Sequence, residues 1–284
     1  MKQSEGKLVT QGLDETDSFN CHYRQWLPDN CPNALMLIVH GMGEHCARYQ
    51  HVAKYFVERG FGVYALDHKG HGKSEGRPGH IDRFSNYSAG VNSLLQKIKA
   101  EYPELPRFLV GHSMGGLISA DFLLQQQDEF VGCVLSGPAM KAVDEPPAWL
   151  LAINRLISRI FPTLGMMQLD ANGVSRDPAV VQAYLDDPLV YKGKMSSRLV
   201  HELLSTMTSL MNQAAKIRLP VLVLHGESDT LTSVDGSRQF HQSISSTDKD
   251  LRIYPGLYHE IFNEPEQEQV LNDMATWLRQ RLPQ

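Results

Sequence analysis

The pentapeptide Gly111-His112-Ser113-Met114-Gly115 follows a short apolar run, Phe108 to Val110. It passes straight into a helical pattern carried by Leu117, Ile118, Ala120 and Phe122 to Leu124. A serine between two glycines at a strand-to-helix turn has its hydroxyl held out for attack, and the glycines let the two backbones approach closely. The chemistry open to such a serine is acyl transfer. At neutral pH a hydroxyl is a poor nucleophile, so it needs a base, and the base needs a partner that fixes its tautomer.

Position selects among the twelve histidines. On a sheet that carries a serine at such an elbow, the acid follows a late strand and the histidine follows the last one, in the chain order Ser, Asp or Glu, His. Asp229 comes shortly after the apolar run Val221 to Leu224, and His259 shortly after Leu251 to Tyr254. Glu227 and Asp235 are rivals for the acid, and His241 for the base. His241 lies in a helical pattern, from which it could not easily swing over a strand end. Attack would put negative charge on the substrate oxygen, and each missing N–H donor to it costs about 3–4 kcal/mol of transition-state stabilisation. One donor is expected from the backbone of Met114. The other is expected from Met42, in the loop His40-Gly41-Met42-Gly43 after Ala34 to Val39, with His40 as a brace for that loop.

These residues need a scaffold that brings three distant stretches together. Unalternated apolar runs recur at Ala34 to Val39, Gly62 to Leu66, Phe108 to Val110, Val131 to Leu135, Val221 to Leu224 and Leu251 to Tyr254. Such runs suit strands covered on both faces, and so an α/β fold with a mostly parallel central sheet flanked by helices. Lys7 to Gln11 and Asn20 to Leu27 read as an opening antiparallel pair. Helical faces are carried by Tyr49, Val52, Ala53, Phe56 and Val57, and by Tyr87, Val91, Leu94, Leu95 and Ile98. From about Met140 to Ala215 helical patterns follow one another without a clear strand. The expected organisation is a core over 1–139, a helical cap or lid over 140–215 inserted after the sixth strand, and the rest of the core over 216–284.

Within that insertion Trp149, Leu150, Ile153, Leu156, Ile157, Ile160 and Phe161 form an apolar stripe opposite Asn154, Arg155, Ser158 and Arg159. The stripe could pack on the core, wall an apolar tunnel or dip into a membrane surface. Met166, Met167, Met195, Met207 and Met211 add adaptable apolar surface of the kind that suits acyl chains.

A net charge of −5, with no Lys/Arg-rich block, argues against a nucleic-acid partner. No stretch approaches the ~20 apolar residues of a membrane span and no signal sequence is evident, so the chain reads as cytoplasmic, with membrane contact at most peripheral. Cys21, Cys31, Cys46 and Cys133 lack metal spacing and read as free thiols. Cys46 lies beside the site with no partner base evident in the sequence. His259-Glu260-Ile261-Phe262 lacks the second histidine of a zinc motif, so no metal and no cofactor is expected. Asp67-His68-Lys69-Gly70-His71-Gly72 reads as a supporting loop.

His40-Gly41-Met42-Gly43-Glu44-His45, Asp67 to Gly76, Gly111 to Gly116, Asp187-Pro188-Leu189, Asp229 and His259 together resemble the monoacylglycerol lipase and lysophospholipase-like branch of the α/β-hydrolases. The resemblance implies a cofactor-independent serine esterase that splits monoacylglycerols into glycerol and fatty acid through an acyl-enzyme. A lysophospholipase or a broad carboxylesterase of the same fold is the alternative within the class, and a non-catalytic lipid-binding protein the alternative outside it. It also implies that Glu44, Arg48 and Tyr184 hold the head group, whereas the residues alone leave Glu44 and Arg48 readable as a surface ion pair. Animal members carry a second histidine three residues after the catalytic one, where this chain has Phe262. Activity is expected to decline below about pH 6 as His259 protonates.

Overall fold

The structure, a computed structural model, describes residues 1–12, 18–144 and 147–282. The chain opens with β1 (Lys2–Gln11) and β2 (Ser18–Leu27), paired antiparallel from Lys2↔Leu27 to Gln11↔Ser18. The pair is longer than the expected Lys7 to Gln11 because β1 is an edge strand. Most of its side chains are exposed and polar, so its first half carries no apolar alternation to read.

Next come β3 (Ala34–Val39), α1 (Gln50–Val57), β4 (Phe61–Leu66), α2 (Ser85–Glu101), β5 (Arg107–His112), α3 (Met114–Gln126) and β6 (Gly132–Ser136). After an insertion, the core resumes with β9 (Val221–Gly226), α7 (Val234–Ser243), β10 (Lys249–Tyr254) and α8 (Gln267–Arg279). The sheet order is β1-β2-β4-β3-β5-β6-β9-β10, parallel from β4 to β10. In β3 alternate residues serve opposite faces. Leu35, Leu37 and Val39 pack with Val91, Leu94, Leu117 and Ile118 of α2 and α3. Met36 and Ile38 pack with Val52 and Phe56 of α1 and with Met274 and Trp277 of α8. Fully burying a side chain of this size contributes about 1.5–3 kcal/mol, so covering both faces explains why the central strands read as unbroken apolar runs.

The insertion lies between β6 and β9, as expected. It consists of α4 (Ala148–Ile160), β7 (Gly165–Met167), α5 (Pro178–Asp186), β8 (Met195–Ser196) and α6 (Ser197–Gln213). Residues 145 and 146 of the expected segment 140–215 lie outside the described residues. One correction arises here. The insertion is not wholly helical, because β7 and β8 form an antiparallel ribbon; strands of three and two residues are too short to show a period. Of the readings open for the apolar stripe of α4, packing on the core is not the one the structure shows for most of it. Trp149, Leu156, Ile160 and Phe161 are 64%, 59%, 59% and 62% exposed, while Asn154 and Ser158 are buried. No helix among the described residues is long and apolar enough to cross a membrane.

Candidate active site

Ser113 caps α3 with φ 56° and ψ −122°, the one non-glycine residue of positive φ among the described residues. Such a conformation costs about 1–3 kcal/mol and needs surroundings that hold it. The Ser113 amide donates to the Ser136 carbonyl at 2.9 Å, and its carbonyl accepts from the amides of Gly116 at 2.9 Å and Ala139 at 3.0 Å. The flanking glycines permit the close approach that the turn requires. A methyl group on Gly115 would lie 2.0 Å from the Val39 carbonyl oxygen, and one on Gly111 would lie 2.4 Å from Ser119 Oγ.

The turns beyond β9 and β10 bring Asp229 and His259 together. His259 Nδ1 donates to Asp229 Oδ2 at 2.7 Å. The same oxygen takes the Thr232 hydroxyl at 2.9 Å and lies 3.1 Å from His225 Nε2. Oδ1 accepts the amides of Leu231 at 2.7 Å and Thr232 at 3.0 Å. Burial alone would raise the Asp229 pKa, but the charge of His259 and the hydrogen bonds from His225 and His259 outweigh it and hold the acid far below the usual carboxylate range. In the same way burial would lower His259, and Asp229 beside it lifts the imidazole above the ordinary histidine value. With Nδ1 engaged, Nε2 is the nitrogen left for the serine. Ser113 and His259 line one cavity of about 480 Å³, and among the described residues no hydrogen bond joins them. Such contacts commonly tighten only around a substrate.

His112 packs its ring 4.7 Å from that of His259, centroid to centroid, and its Nδ1 donates to the Ser136 carbonyl at 3.1 Å. Burial, with His259 alongside, pushes its pKa down to about 3, so it stays neutral. Met42 and Met114 also line the cavity, and neither backbone N–H is spent on a protein acceptor among the described residues. Met114 is in addition the first residue of α3, where the helix dipole favours a negative oxygen. His40 braces the first loop: its Nδ1 donates to the Gly41 carbonyl at 2.7 Å and its Nε2 accepts the His68 amide at 3.0 Å.

Glu44 and Tyr184 are buried and line the cavity. Arg48 does not reach the cavity wall; it lies behind it, with its guanidinium 4.9 Å from the centre of the Tyr184 ring. Nor are Glu44 and Arg48 a surface pair. Glu44 Oε1 accepts the Gly41 amide at 2.6 Å and the Tyr49 hydroxyl at 2.7 Å, while Oε2 accepts Arg48 Nη1 at 3.0 Å. Arg48 makes a two-pronged pair with Glu260, Nη1 to Oε1 at 2.6 Å and Nη2 to Oε2 at 2.8 Å. Burial, with Glu260 nearby, raises Glu44 against the pull of Arg48, whereas Arg48 holds Glu260 low in spite of its burial. Glu260 lines the cavity too, and sequence reasoning missed it. Its only signal was that it follows His259. Phe262 is buried, and its carbonyl accepts His51 Nε2 at 2.8 Å.

Of the insertion methionines, Met166, Met167, Met195 and Met207 line the cavity, whereas Met211 packs against the core. Leu150 and Leu151 of α4 belong to the same wall.

The chain matches the family model described as "Serine aminopeptidase, S33" over residues 30–266. It belongs to this family. The chain is a serine hydrolase with the α/β-hydrolase fold. It is 41% identical over 256 residues to a monoacylglycerol lipase of Mycolicibacterium smegmatis, covering 90% of this chain and 91% of that one. Among solved structures it is similar to the monoacylglycerol lipase of Paleococcus ferrophilus, with a TM-score of 0.80, 30% identity and coverage of 99% and 100%. It is also similar to a soluble variant of Saccharomyces cerevisiae monoglyceride lipase in complex with a substrate analogue, with a TM-score of 0.82, 26% identity and coverage of 98% and 96%.

One buried group in this hydrolase does not serve the cavity. Cys46 does have a base nearby, contrary to expectation, since its Sγ lies 3.8 Å from His22 Nδ1. That nitrogen is bonded to Asp67 Oδ2 at 3.0 Å, and Asp67 also accepts the amides of Cys46 at 2.8 Å and Lys73 at 2.9 Å. Burial beside Asp67 raises the thiol well above its usual pKa, so it is an inert packing group. The side chains of His22, Cys46 and Asp67 are close enough together to ligate an ion. The hydrogen bonds on the carboxylate make them a brace for the loop after β4.

Proposed function

We propose that this serine hydrolase cleaves monoacylglycerols into glycerol and fatty acid. The observation that carries this reading is the division of the cavity wall. A methyl group on Gly41 would lie 3.0 Å from both Ser113 Cβ and Glu44 Oε1, so the nucleophile and a polar cluster flank the same residue. The insertion contributes apolar side chains such as Leu151, Met167, Leu203 and Met207. An ester between a small polyol and a fatty chain fits that division, and about 480 Å³ is within the range of small-molecule sites, about 300–1,000 Å³. Glu44, Arg48 and Glu260 carry a net charge of −1 when all are ionised, and none once Glu44 takes a proton. An uncharged head group suits this better than a phosphate.

In this reading Ser113 Oγ attacks the ester carbonyl while His259 Nε2 takes its proton, with Asp229 holding the imidazole. The amides of Met42 and Met114 receive the developing oxyanion. Collapse breaks the ester C–O bond, and His259 returns the proton to the departing glycerol. Water then attacks the acyl-enzyme by the same route in reverse order and releases the fatty acid. Glu44 and Tyr184 face the glycerol, and Arg48 supports them from behind. Residues 140–215 act as the cap, and the exposed stripe of α4 rests on a lipid surface from which the substrate is drawn.

The test compares a monoacylglycerol, a lysophospholipid and a nitrophenyl ester of equal chain length. The monoacylglycerol should be the best substrate, Ser113→Ala should lose on the order of a millionfold in turnover, and a fluorophosphonate should label Ser113. Faster turnover of the lysophospholipid, or no preference among the three, would replace the substrate assignment. Absence of an adduct would favour a lipid carrier.

A further inference from the structure

The polar cluster joins three parts of the chain. Glu260, next to His259, grips Arg48 with both carboxylate oxygens, and Oε2 also accepts Asn263 Nδ2 at 2.8 Å. Arg48 passes the contact to Glu44, and Glu44 accepts the amide of Gly41, the residue before Met42. On the insertion side, the Glu260 amide donates to the Val174 carbonyl at 2.8 Å and Arg48 covers the Tyr184 ring. Three side-chain links thus connect the residue after His259 to the residue before the Met42 amide.

We propose that Glu260 is a positioning residue for the ester hydrolysis: its clamp on Arg48 locks the loop that carries His259 to the loop that carries the Met42 amide. The proposal rests on the reading of Ser113 and His259 as nucleophile and base. A buried ion triad is a poor source of stability, because desolvation offsets much of the attraction. What a two-pronged carboxylate–guanidinium pair supplies is direction, since it fixes both planes and their separation. Direction is needed here. The oxyanion donor and the base reside on loops of opposite halves of the chain, and a displacement of about 1 Å can cost about a hundredfold in rate.

The carboxylate also acts on the imidazole through its charge. The titratable and charged groups around His259 are Asp229 and His225 from the β9 side, His112 from β5, Glu44 and Arg48 from the loop after β3, and Glu260 itself. Glu260 adds to Asp229 in favouring the protonated ring. Removing that charge should therefore move the titration of His259, while a loss of kcat at a pH where the ring is neutral, shared non-additively with Arg48, reports the positioning itself.

The experiment measures kcat, KM and the pH dependence of kcat/KM for Glu260→Gln, Glu260→Asp, Arg48→Met and the Glu260→Gln/Arg48→Met double variant, with a monoacylglycerol and a soluble nitrophenyl ester. Glu260→Gln should lose about 10- to 100-fold in kcat on both substrates, with KM nearly unchanged and the acidic limb moved to lower pH. Arg48→Met should lose a similar factor, and the double variant should be little worse than either single one. Glu260→Asp, charged but one methylene short, should lose kcat while keeping the limb closer to the parent position. Wild-type kcat in a folded Glu260→Gln variant would overturn the proposal, as would additive losses with an unmoved limb. Should the glutamine variant fail to fold, wild-type kcat in Glu260→Asp overturns it equally. Ser113→Ala is assayed alongside: activity there would refute the nucleophile itself, whatever Glu260 does.

Discussion

His225 and His259 converge on one oxygen of Asp229, with His225 Nε2 at 3.1 Å and His259 Nδ1 at 2.7 Å from Oδ2. His225 is anchored in turn by the Ser237 hydroxyl, 2.7 Å from its Nδ1. The acid is therefore held from the strand side as well as by the amides of Leu231 and Thr232, and the carboxylate plane that orients His259 has little freedom to rotate.

His225→Leu removes that strand-side donor. A hydrogen bond to a charged group is worth about 1.5–3 kcal/mol, so kcat should fall by about tenfold or more while KM stays close to the parent value. Steady-state kinetics on a soluble ester checks this. An unchanged kcat would mean that the amides of Leu231 and Thr232 and the Thr232 hydroxyl are enough to fix Asp229.

The pH profile follows from His259. Burial would lower its pKa, but Asp229 and Glu260 outweigh that and hold it above the ordinary value of about 6.5. The base must be neutral to accept the serine proton, so kcat/KM should decline as pH falls through a point above 6.5, earlier than the pH 6 expected from an ordinary histidine. A profile on an uncharged ester whose acidic limb lies at or below pH 6 would contradict this.

Acid should also weaken the fold. Burial holds His40, His71, His68 and His112 neutral, the last two with pKa values down to about 3. Below about pH 6.5 the unfolded chain binds these protons and the native chain does not, so stability falls with pH. For His68 and His112 the loss is about 2 kcal/mol each at pH 5. His259 works in the opposite sense, since its raised pKa adds stability below its unfolded value. Urea midpoints at pH 7 and pH 5 test the balance, and the pH 5 midpoint should be lower.

The covered core strands were legible in the sequence, and Ser113, Asp229 and His259 stood out as candidates because each closely follows an apolar run that reads as such a strand; the structure brings His259 to 2.7 Å from Asp229 and puts Ser113 and His259 on one cavity wall. Glu260 was illegible. What sets it apart is its two-pronged contact with Arg48, and no local pattern announces a partner elsewhere in the fold. α4 shows a third case: its periodicity marks a stripe from Trp149 to Phe161 but not the direction the stripe faces, which depends on what the rest of the insertion leaves uncovered. The polar groups opposite the stripe, Asn154 and Ser158, are the ones that are buried.

That outward face makes its own prediction. Replacing Leu156, Ile160 and Phe161 together by serine should weaken binding to phosphatidylcholine vesicles by about a hundredfold, taking about 1 kcal/mol for each partly inserted side chain. Hydrolysis of a short soluble ester should stay as it was. Sedimentation with vesicles measures the first, and equal binding of parent and variant would remove α4 from any role at a lipid surface.

Arg48 and Glu260 stand 212 residues apart in the chain. Contacts of such long sequence separation form late, because the intervening chain must first be ordered. A nascent polypeptide that has already built the turn at Ser113 still lacks His259, the base in the proposed mechanism, and a fragment ending before the last strand should carry a harmless alcohol. Competence to cut esters is therefore expected only once the loop after β3 and the turn after β10 have met, so that hydrolysis is itself a readout of finished folding.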